Sequence, residues 1–233
     1  MAADPPPVIA IDGPSASGKG TIAAAVARHL GFHFLDSGAL YRIVGLVGRE
    51  RGANLGDDGE ISRITLNLKV KFDGDRVFVD GREVADLIRG EVAGAAASQV
   101  AALPGVRTAL MTLQHSFRQP PGLVADGRDM GSVVFPDAQL KIYLTASAEE
   151  RARRRHKQLI DKGSDASMAT LLQDIRDRDF RDSNRAVAPL LKCTDAVEID
   201  TTGTPVDVVV TQVLLLYQKS IKNRSELRSK YRQ

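Results

Sequence analysis

The sequence predicts an α/β protein built on a parallel sheet, and three observations support this prediction. The segment VIAID (8–12) is apolar and rich in β-branched residues, and a Gly-Pro pair follows it. The stretch GTIAAAVARHLG (20–31) has helical apolar spacing and ends in glycine. A second apolar strand, FHFLD (32–36), comes directly after it. A strand–helix–strand unit of this kind favours a parallel sheet with helices on both faces, which gives three layers.

Later segments extend the same pattern. Residues 67–85 interrupt it with alternating apolar positions and two Asp-Gly pairs, at 73–74 and 80–81, which predict a small antiparallel β insert. Three more segments predict strands that bring the parallel sheet to five: LVADG (123–127), KIYLTA (141–146) and AVEID (196–200). Helices are predicted at about 148–161, 167–182 and 205–222.

Length and composition indicate a cytoplasmic enzyme. The 233 residues suffice for one domain or at most two. A net charge of +3, with both signs interspersed, favours an enzyme with local basic clusters over a nucleic-acid-binding protein. A single cysteine, Cys193, excludes an intrachain disulfide and fits a reducing compartment. The chain starts without a signal-peptide pattern and has no apolar run long enough for a membrane span, so we expect no membrane partner.

The segment between the first strand and the first helix has the spacing of a phosphate-binding loop. Gly13, Gly18 and Lys19 stand at the required positions. Glycines let backbone N–H groups converge on phosphate oxygens, and the helix dipole adds to their attraction. Lys19 supplies a positive charge at the β- and γ-phosphates of a nucleotide. The usual Ser or Thr after the lysine is Gly20 here, and Thr21 comes one place later.

Two charged segments follow predicted strands, at the sheet edge where open parallel sheets bind their ligands. In DSGALYR (36–42), Asp36 and Ser37 fit either this site or a helix N-cap. In ADGRDMG (125–131), Asp126 is a candidate for holding magnesium through water, and Arg128 is a candidate clamp for a phosphate.

Two further segments carry arginine clusters. In IRDRDFRDSNR (175–185), Arg178, Asp182 and Arg185 have the spacing of one helical stripe. The segment ERARRRH (150–156) adds four arginines. Each cluster alone fits solvated charge pairs, and together they fit an arginine-lined flap over transferring phosphates.

Five stretches in this order resemble the bacterial cytidylate kinases, which are nucleoside monophosphate kinases of the P-loop class. The stretches are DGPSASGKGT, DSGALYR, ASQVAALPGVR, DGRDMG and RDFRDSNRAVAPL. The resemblance implies a P-loop kinase fold over residues 8–217, followed by a basic tail at 218–233. Within it we expect a core (8–38, 105–150 and 186–217), a monophosphate-binding region (39–104) with a β insert at about 62–90, and a helical lid at about 151–185.

The resemblance also implies the reaction, phosphoryl transfer from ATP to CMP or dCMP with Mg²⁺, in a monomer that binds no nucleic acid. The catalytic residues implied are Lys19, Arg128 and Arg185. The implied ATP-binding residues are Gly13, Pro14, Ser15, Ala16, Ser17, Gly18, Lys19, Gly20, Thr21 and Arg155. The implied CMP-binding residues are Ser37, Arg42, Ser98, Arg107, Arg128, Asp129, Arg178, Asp182 and Arg185. Gly20-Thr21 fits a family in which the metal is held largely through ATP oxygens and water.

One loop position departs from the family, and three alternatives remain. The family commonly has glycine where this chain has Ala16, so we expect the loop to keep its shape only if residue 16 does not need a positive φ. One alternative is a kinase with UMP, AMP or shikimate as the acceptor, but such a kinase would not be expected to have this GRD loop and β insert. A GTPase would need an Asn-Lys-x-Asp segment, which the sequence lacks. A nucleic-acid-binding module would depend on the basic tail, whose other interpretation is a solvated helix end.

Overall fold

The structure is a computed structural model that describes residues 4–73, 76–161, 163 and 166–230. The strands are β1 (Val8–Asp12), β2 (His33–Asp36), β3 (Val70–Asp73), β4 (Arg76–Val79), β5 (Arg82–Glu83), β6 (Leu123–Gly127), β7 (Leu140–Thr145) and β8 (Val197–Asp200). The helices are α1 (Lys19–Leu30), α2 (Ser37–Glu50), α3 (Asp58–Leu66), α4 (Glu91–Val100), α5 (Pro104–Ser116), α6 (Ala148–Ile160), α7 (Met168–Asn184) and α8 (Val206–Lys230).

The main sheet is parallel and has five strands in the order β2-β6-β1-β7-β8. The central strand β1 is buried throughout because it pairs with β6 on one side and β7 on the other. Its apolar sequence therefore reflects burial on both faces. The predicted α/β class, the five strands and the small antiparallel sheet are confirmed.

The chain divides into two compact units. The first unit comprises the described residues of Met1–Leu35, Phe117–Asn184 and Ala188–Gln233. The second comprises Asp36–Ser116, apart from the undescribed 74–75, with Arg185–Val187. The core of the first unit packs α1 and α8 with the sheet, and Phe32 meets Tyr217 edge-on with ring centroids 5.7 Å apart.

The second unit contains the antiparallel sheet β3-β4-β5. Asp80 (φ 50°) and Gly81 (φ 85°) form the two-residue turn between β4 and β5, as the Asp-Gly signal predicts. For the other predicted turn, β3 and β4 pair as a hairpin, but residues 74–75 lie outside the described residues. The expected start of the insert near residue 62 is wrong, because Asp57 caps α3 and the helix continues to Leu66.

Helix α5 differs from the expected division of the chain. We expected residues from 105 onward to join the core, but α5 packs with α3 in the second unit. The Asp58 carboxylate accepts the backbone N–H of Gly105 at 2.9 Å and that of Val106 at 3.3 Å. This contact places a carboxylate at the positive end of α5, which stabilises the helix there.

Helix α8 begins close to its predicted position and runs to Lys230, so the basic tail continues a helix rather than forming a separate segment. Within the described part of the chain, no helix combines the length and the apolar character needed to cross a membrane.

Candidate active site

The phosphate loop follows β1 and leads directly into α1. Gly13 has a φ of 148°, and a Cβ atom there would lie 2.0 Å from the backbone oxygen of Leu144, so only glycine fits. Gly18 (φ 90°) occupies the N-cap position of α1, where no side chain caps the helix. The first-turn N–H groups of α1 therefore retain their capacity to bind an anion.

Ala16 adopts a positive φ of 58°. We expected the loop to keep its shape only if residue 16 does not need a positive φ, and the structure does not meet that condition. A left-handed conformation costs an alanine about 1–2 kcal/mol relative to the right-handed one. Ala16 is therefore a locally strained residue within the loop.

The side chains of Ser17 and Lys19 both turn to the carbonyl of Pro14. Ser17 Oγ donates to this oxygen at 3.0 Å, and Lys19 Nζ donates to it at 2.7 Å. Burial, together with the nearby Arg128 guanidinium, lowers the pKa of Lys19 to about 7. An incoming phosphate would supply the negative charge that this buried ammonium group needs.

Two carboxylates lie beside the loop at the ends of neighbouring strands. Asp12 accepts the N–H groups of Met130 and Gly131, both at 2.8 Å, and thereby fixes a single π-helical turn at 130–134. Burial raises the pKa of Asp12 to about 6, although these two hydrogen bonds oppose the shift. Asp126 is also buried, and a Cβ atom at Gly20 would lie only 3.3 Å from its Oδ2 atom.

This arrangement fits the predicted magnesium site. Glycine at position 20 keeps space open beside the Asp126 carboxylate. Among the described residues there is no cluster of three or more metal-ligating side chains. One carboxylate beside open space fits an ion whose other ligands are phosphate oxygens and water, as Mg²⁺ prefers.

Arg128 and Asp129 follow β6. Arg128 Nε donates to Asp182 Oδ2 at 3.0 Å in a largely buried ion pair. Burial is the largest single influence and lowers the pKa of Arg128, but the carboxylates of Asp182, Asp126 and Asp12 together outweigh it, so the net shift is upward. Asp129 is buried as well. The structure therefore brings together predicted CMP-binding side chains from β6 and α7.

Helix α7 corrects the predicted stripe of charges. Arg178 and Asp182 lie one helical turn apart, as expected. The helix ends at Asn184, so Arg185 lies beyond it and groups with the second unit. The prediction that Arg185 lies on this helical stripe is therefore wrong, because the helix ends one residue before it.

Helix α6 brings different arginines to the loop from the one chosen by sequence. Arg151 donates to the Ser15 carbonyl at 3.3 Å and pairs with Asp179 on α7. Arg154 donates to the Ser17 carbonyl at 3.2 Å. Arg155, the predicted ATP ligand, donates to Gln158 Oε1 at 3.3 Å. The sequence shows four arginines in this segment, but only the rotational phase of the helix selects those that contact the loop.

The second unit carries the remaining predicted CMP-binding residues. Arg42 donates to the Ile88 carbonyl at 3.1 Å. Arg107 donates to the Ala101 carbonyl at 3.3 Å and lies 5.8 Å from the ring centroid of Tyr41. Tyr41, a residue absent from the predicted site, was signalled only by its place in DSGALYR.

Two serines complete this group. Ser37 is buried at the start of α2, and Ser98 is half-buried on α4. Asp36 caps α2 by accepting the N–H of Ala39 at 3.0 Å, which confirms the N-cap interpretation of that residue.

Comparison with known proteins identifies the family. The family model described as cytidylate kinase matches residues 9–219. The cytidylate kinase of Nitrosomonas europaea is 53% identical over 216 residues, which cover 93% of this chain and 97% of the relative. The cytidylate kinase of Chromobacterium violaceum is 55% identical over 213 residues, or 91% of this chain and 96% of the relative.

Among solved structures, a gluconokinase from Sinorhizobium meliloti covers 97% of this chain and 99% of its own. Its TM-score is 0.51 at 15% sequence identity, and this similarity supports the kinase fold alone. The family match and the high identity to its curated members extend over nearly all of the sequence, including the phosphate loop and both groups of arginines. The chain belongs to the cytidylate kinase family.

Proposed function

We propose that this protein transfers the γ-phosphoryl group of ATP to CMP or dCMP and releases ADP with CDP or dCDP. The observation that carries the proposal is the identity of 53% to a curated cytidylate kinase over 93% of the chain. The phosphate loop adds physical support, because its uncapped helix end and buried lysine suit the polyphosphate of a nucleotide.

On the donor side, the loop binds ATP and Lys19 neutralises the β- and γ-phosphates. Its pKa of about 7 in the ligand-free protein rises when phosphate oxygens approach, so the lysine is fully charged in the complex. Asp126 would hold Mg²⁺ through water beside Gly20. The ion would supply positive charge against the negative charge that spreads over the phosphate oxygens during transfer.

On the acceptor side, Arg42 and Arg128 hold the CMP phosphate, in the pocket that includes Ser37, and Arg185 approaches the phosphates. The cytosine is read by three residues, Ser98, Arg107 and Asp129, and Arg178 and Asp182 approach the ribose. The CMP phosphate is already an anion, so the attack needs no general base. Catalysis depends on positioning the two substrates and on positive charge that stabilises the transferring phosphoryl group.

The segment 151–185 serves as a lid that excludes water, since hydrolysis competes with transfer. The side chain of Arg155 turns to ATP when the lid closes. We further propose that the protein acts as a cytoplasmic monomer without nucleic-acid or membrane partners.

A coupled assay for ADP release tests the function with four acceptors: CMP, dCMP, UMP and AMP. We expect turnover with CMP and dCMP that exceeds turnover with UMP and AMP. Faster turnover with UMP or AMP, or ADP release that does not depend on any acceptor, would contradict the proposal. Omission of Mg²⁺ should abolish turnover while leaving CMP binding measurable by calorimetry.

A further inference from the structure

The carbonyl groups of a phosphate loop decide where its N–H groups point. In a planar trans peptide, C=O and N–H lie on opposite sides. Fixing the Ser17 carbonyl therefore fixes the direction of the Gly18 N–H, and fixing the Ser15 carbonyl does the same for Ala16. The Ala16 N–H belongs to the strained residue itself, and the Gly18 N–H lies two residues further along the loop. Any side chain that holds these carbonyls acts on the phosphate-binding geometry without contacting the phosphate.

Two side chains hold the Ser17 carbonyl, and we call them the carbonyl anchor: Thr201, after β8, and Arg154 on α6. Thr201 Oγ1 lies 3.1 Å from the Ser17 oxygen, and Arg154 Nη1 lies 3.2 Å from it. Arg154 Nη1 also donates to Thr201 Oγ1 at 3.0 Å. The hydroxyl therefore receives a hydrogen bond from the guanidinium, which leaves its own proton for a carbonyl.

The proton of the Thr201 hydroxyl is best used on Ser17. The hydroxyl also lies 3.0 Å from the Thr145 oxygen, and each of the two oxygens has one other donor: the Thr201 backbone N–H lies 2.9 Å from the Thr145 oxygen, whereas Arg154 Nη1 lies farther from the Ser17 oxygen, at 3.2 Å. Thr201 is 1% exposed, so water does not compete for the bond. Without the hydroxyl, the Ser17 carbonyl would keep only the longer hydrogen bond from Arg154.

Arg154 is itself fixed on two sides. Its Nε donates to Glu150 Oε1 at 2.9 Å, and its Nη2 donates to the Thr201 carbonyl at 2.5 Å. The guanidinium thus bridges α6, the segment after β8 and the phosphate loop. This rigid fork fixes the direction of the Ser17 carbonyl.

We propose that Thr201 is a positioning residue for ATP, which acts with Arg154 through the Ser17 carbonyl to hold the Gly18 N–H toward the phosphates and Ala16 at positive φ. The inference rests on the proposed function, because it assumes that the loop binds ATP.

Calorimetric titration of ATP into the full chain tests the proposal. Thr201→Val keeps the shape of the side chain and removes the hydroxyl, and we expect the Kd for ATP to rise about tenfold. Thr201→Ser keeps the hydroxyl and should stay within about twofold of the wild type, as should Thr211→Val, a matched change on the exposed face of α8. The Kd for CMP should change less than twofold in all three variants.

A purely structural role predicts a different result. In that case Thr201→Val would lower the unfolding temperature and leave the Kd for ATP of the folded protein unchanged, which would overturn the inference. If this variant fails to fold, Arg154→Gln removes the other half of the carbonyl anchor and should raise the Kd for ATP by a similar factor. An unchanged Kd in Arg154→Gln would equally contradict the proposal.

A double variant tests the link to Ala16. Glycine adopts positive φ without strain, so Ala16→Gly in the Thr201→Val background should recover about fivefold of the lost affinity. No recovery would overturn the link between the carbonyl anchor and the loop conformation. The proposed function fails separately: a wild-type protein that binds ATP but does not phosphorylate CMP contradicts that function and leaves the carbonyl anchor intact.

Discussion

The phosphate loop and helix α7 differ in how they are held before any substrate binds. The loop is fixed through its backbone: Gly13 packs against β7, and side chains outside the loop hold the carbonyls of Ser15 and Ser17. Helix α7 is fixed through its charged side chains, since Asp179 pairs with Arg151 and Asp182 pairs with Arg128. In the proposed function, ATP would enter the loop without breaking these backbone contacts, whereas CMP would share the charged partners of α7.

Because of this difference, the free-energy cost of forming each binding site arises at a different stage in the two regions. In the loop, the unfavourable free energy is already present in the folded protein without ligand. It comes from the positive φ of Ala16 and from the buried ammonium group of Lys19. In the proposed acceptor site, the free-energy cost at α7 arises on binding, because the largely buried Arg128–Asp182 pair would exchange or share its hydrogen bonds with CMP. Variants of the loop should therefore affect the chemical step and ATP, and variants of α7 should affect acceptor affinity.

Lys19→Ala should have the largest effect on turnover. A variant with unchanged turnover would contradict the comparison between the loop and α7 most directly. We expect kcat to fall by about 10²–10³-fold, because the charge that stabilises the transferring phosphoryl group is lost. The Kd for CMP should change less than twofold, since the acceptor groups are intact. Steady-state kinetics and calorimetry measure the two quantities. Lys192→Ala, which removes an exposed lysine paired with Glu198, is the control; unchanged turnover in Lys19→Ala would exclude the loop from the mechanism.

Asp182→Ala sharpens the α7 side of the comparison. We expect the Kd for CMP to rise about thirtyfold, because a hydrogen bond from ribose to a carboxylate and the support of Arg128 are both lost. A CMP analogue without ribose hydroxyls should lose less affinity, since only the contribution through Arg128 applies to it.

Calorimetry with both ligands separates these contributions. Equal losses for CMP and the analogue would refute the ribose role and leave only the positioning of Arg128. Asp177→Ala, on the exposed face of the same helix, should alter neither affinity.

The parts of this comparison that depend on local sequence could be predicted. The glycine and lysine spacing and the apolar strand before it identify the loop, because each requirement lies within a few residues. The positive φ of Ala16 could not be predicted, since alanine ordinarily adopts a negative φ. The choice of Arg151 and Arg154 over Arg155 depends on the phase of α6, which tertiary packing sets.

The same reasoning explains the errors at element ends. The prediction that Arg185 shares a stripe with Arg178 and Asp182 required the helix to extend through residue 185, but in the structure it ends at Asn184. The place of α5 in the second unit rests on the Asp58 carboxylate, 47 residues away from Gly105 in the chain. No local pattern indicates a contact at that separation.

The pH dependence of ATP binding is a smaller effect that tests the cost stored at Lys19. Its pKa is lowered to about 7 in the free protein, and bound phosphates raise it, so ATP binding above pH 7 takes up a proton. The affinity for ATP should therefore fall with rising pH, by at most about tenfold per pH unit between pH 7.5 and 9.

Titration calorimetry at pH 8 in two buffers with different ionisation enthalpies measures the proton directly. We expect uptake close to one proton in the wild type. Lys19→Arg, which carries a permanent charge, should show no uptake from this position. Heats that do not depend on the buffer in the wild type would contradict the assigned protonation of Lys19.

Ala16→Gly should have the smallest effect, and its sign is opposite to the usual one for glycine. The variant should gain about 1 kcal/mol of unfolding free energy, because glycine adopts the φ of 58° without strain. For a chain of this size, that gain raises the unfolding temperature by about 2–4 °C. Two matched changes give the contrast in thermal unfolding: Ala188→Gly, at a second positive φ of 48°, should also stabilise, whereas Ala24→Gly inside α1 should destabilise. If Ala16→Gly destabilised the protein as much as Ala24→Gly does, the backbone of the loop would not be strained at this residue. The loop and α7 would then differ only in their hydrogen bonds, which hold backbone carbonyls in the loop and charged side chains in α7.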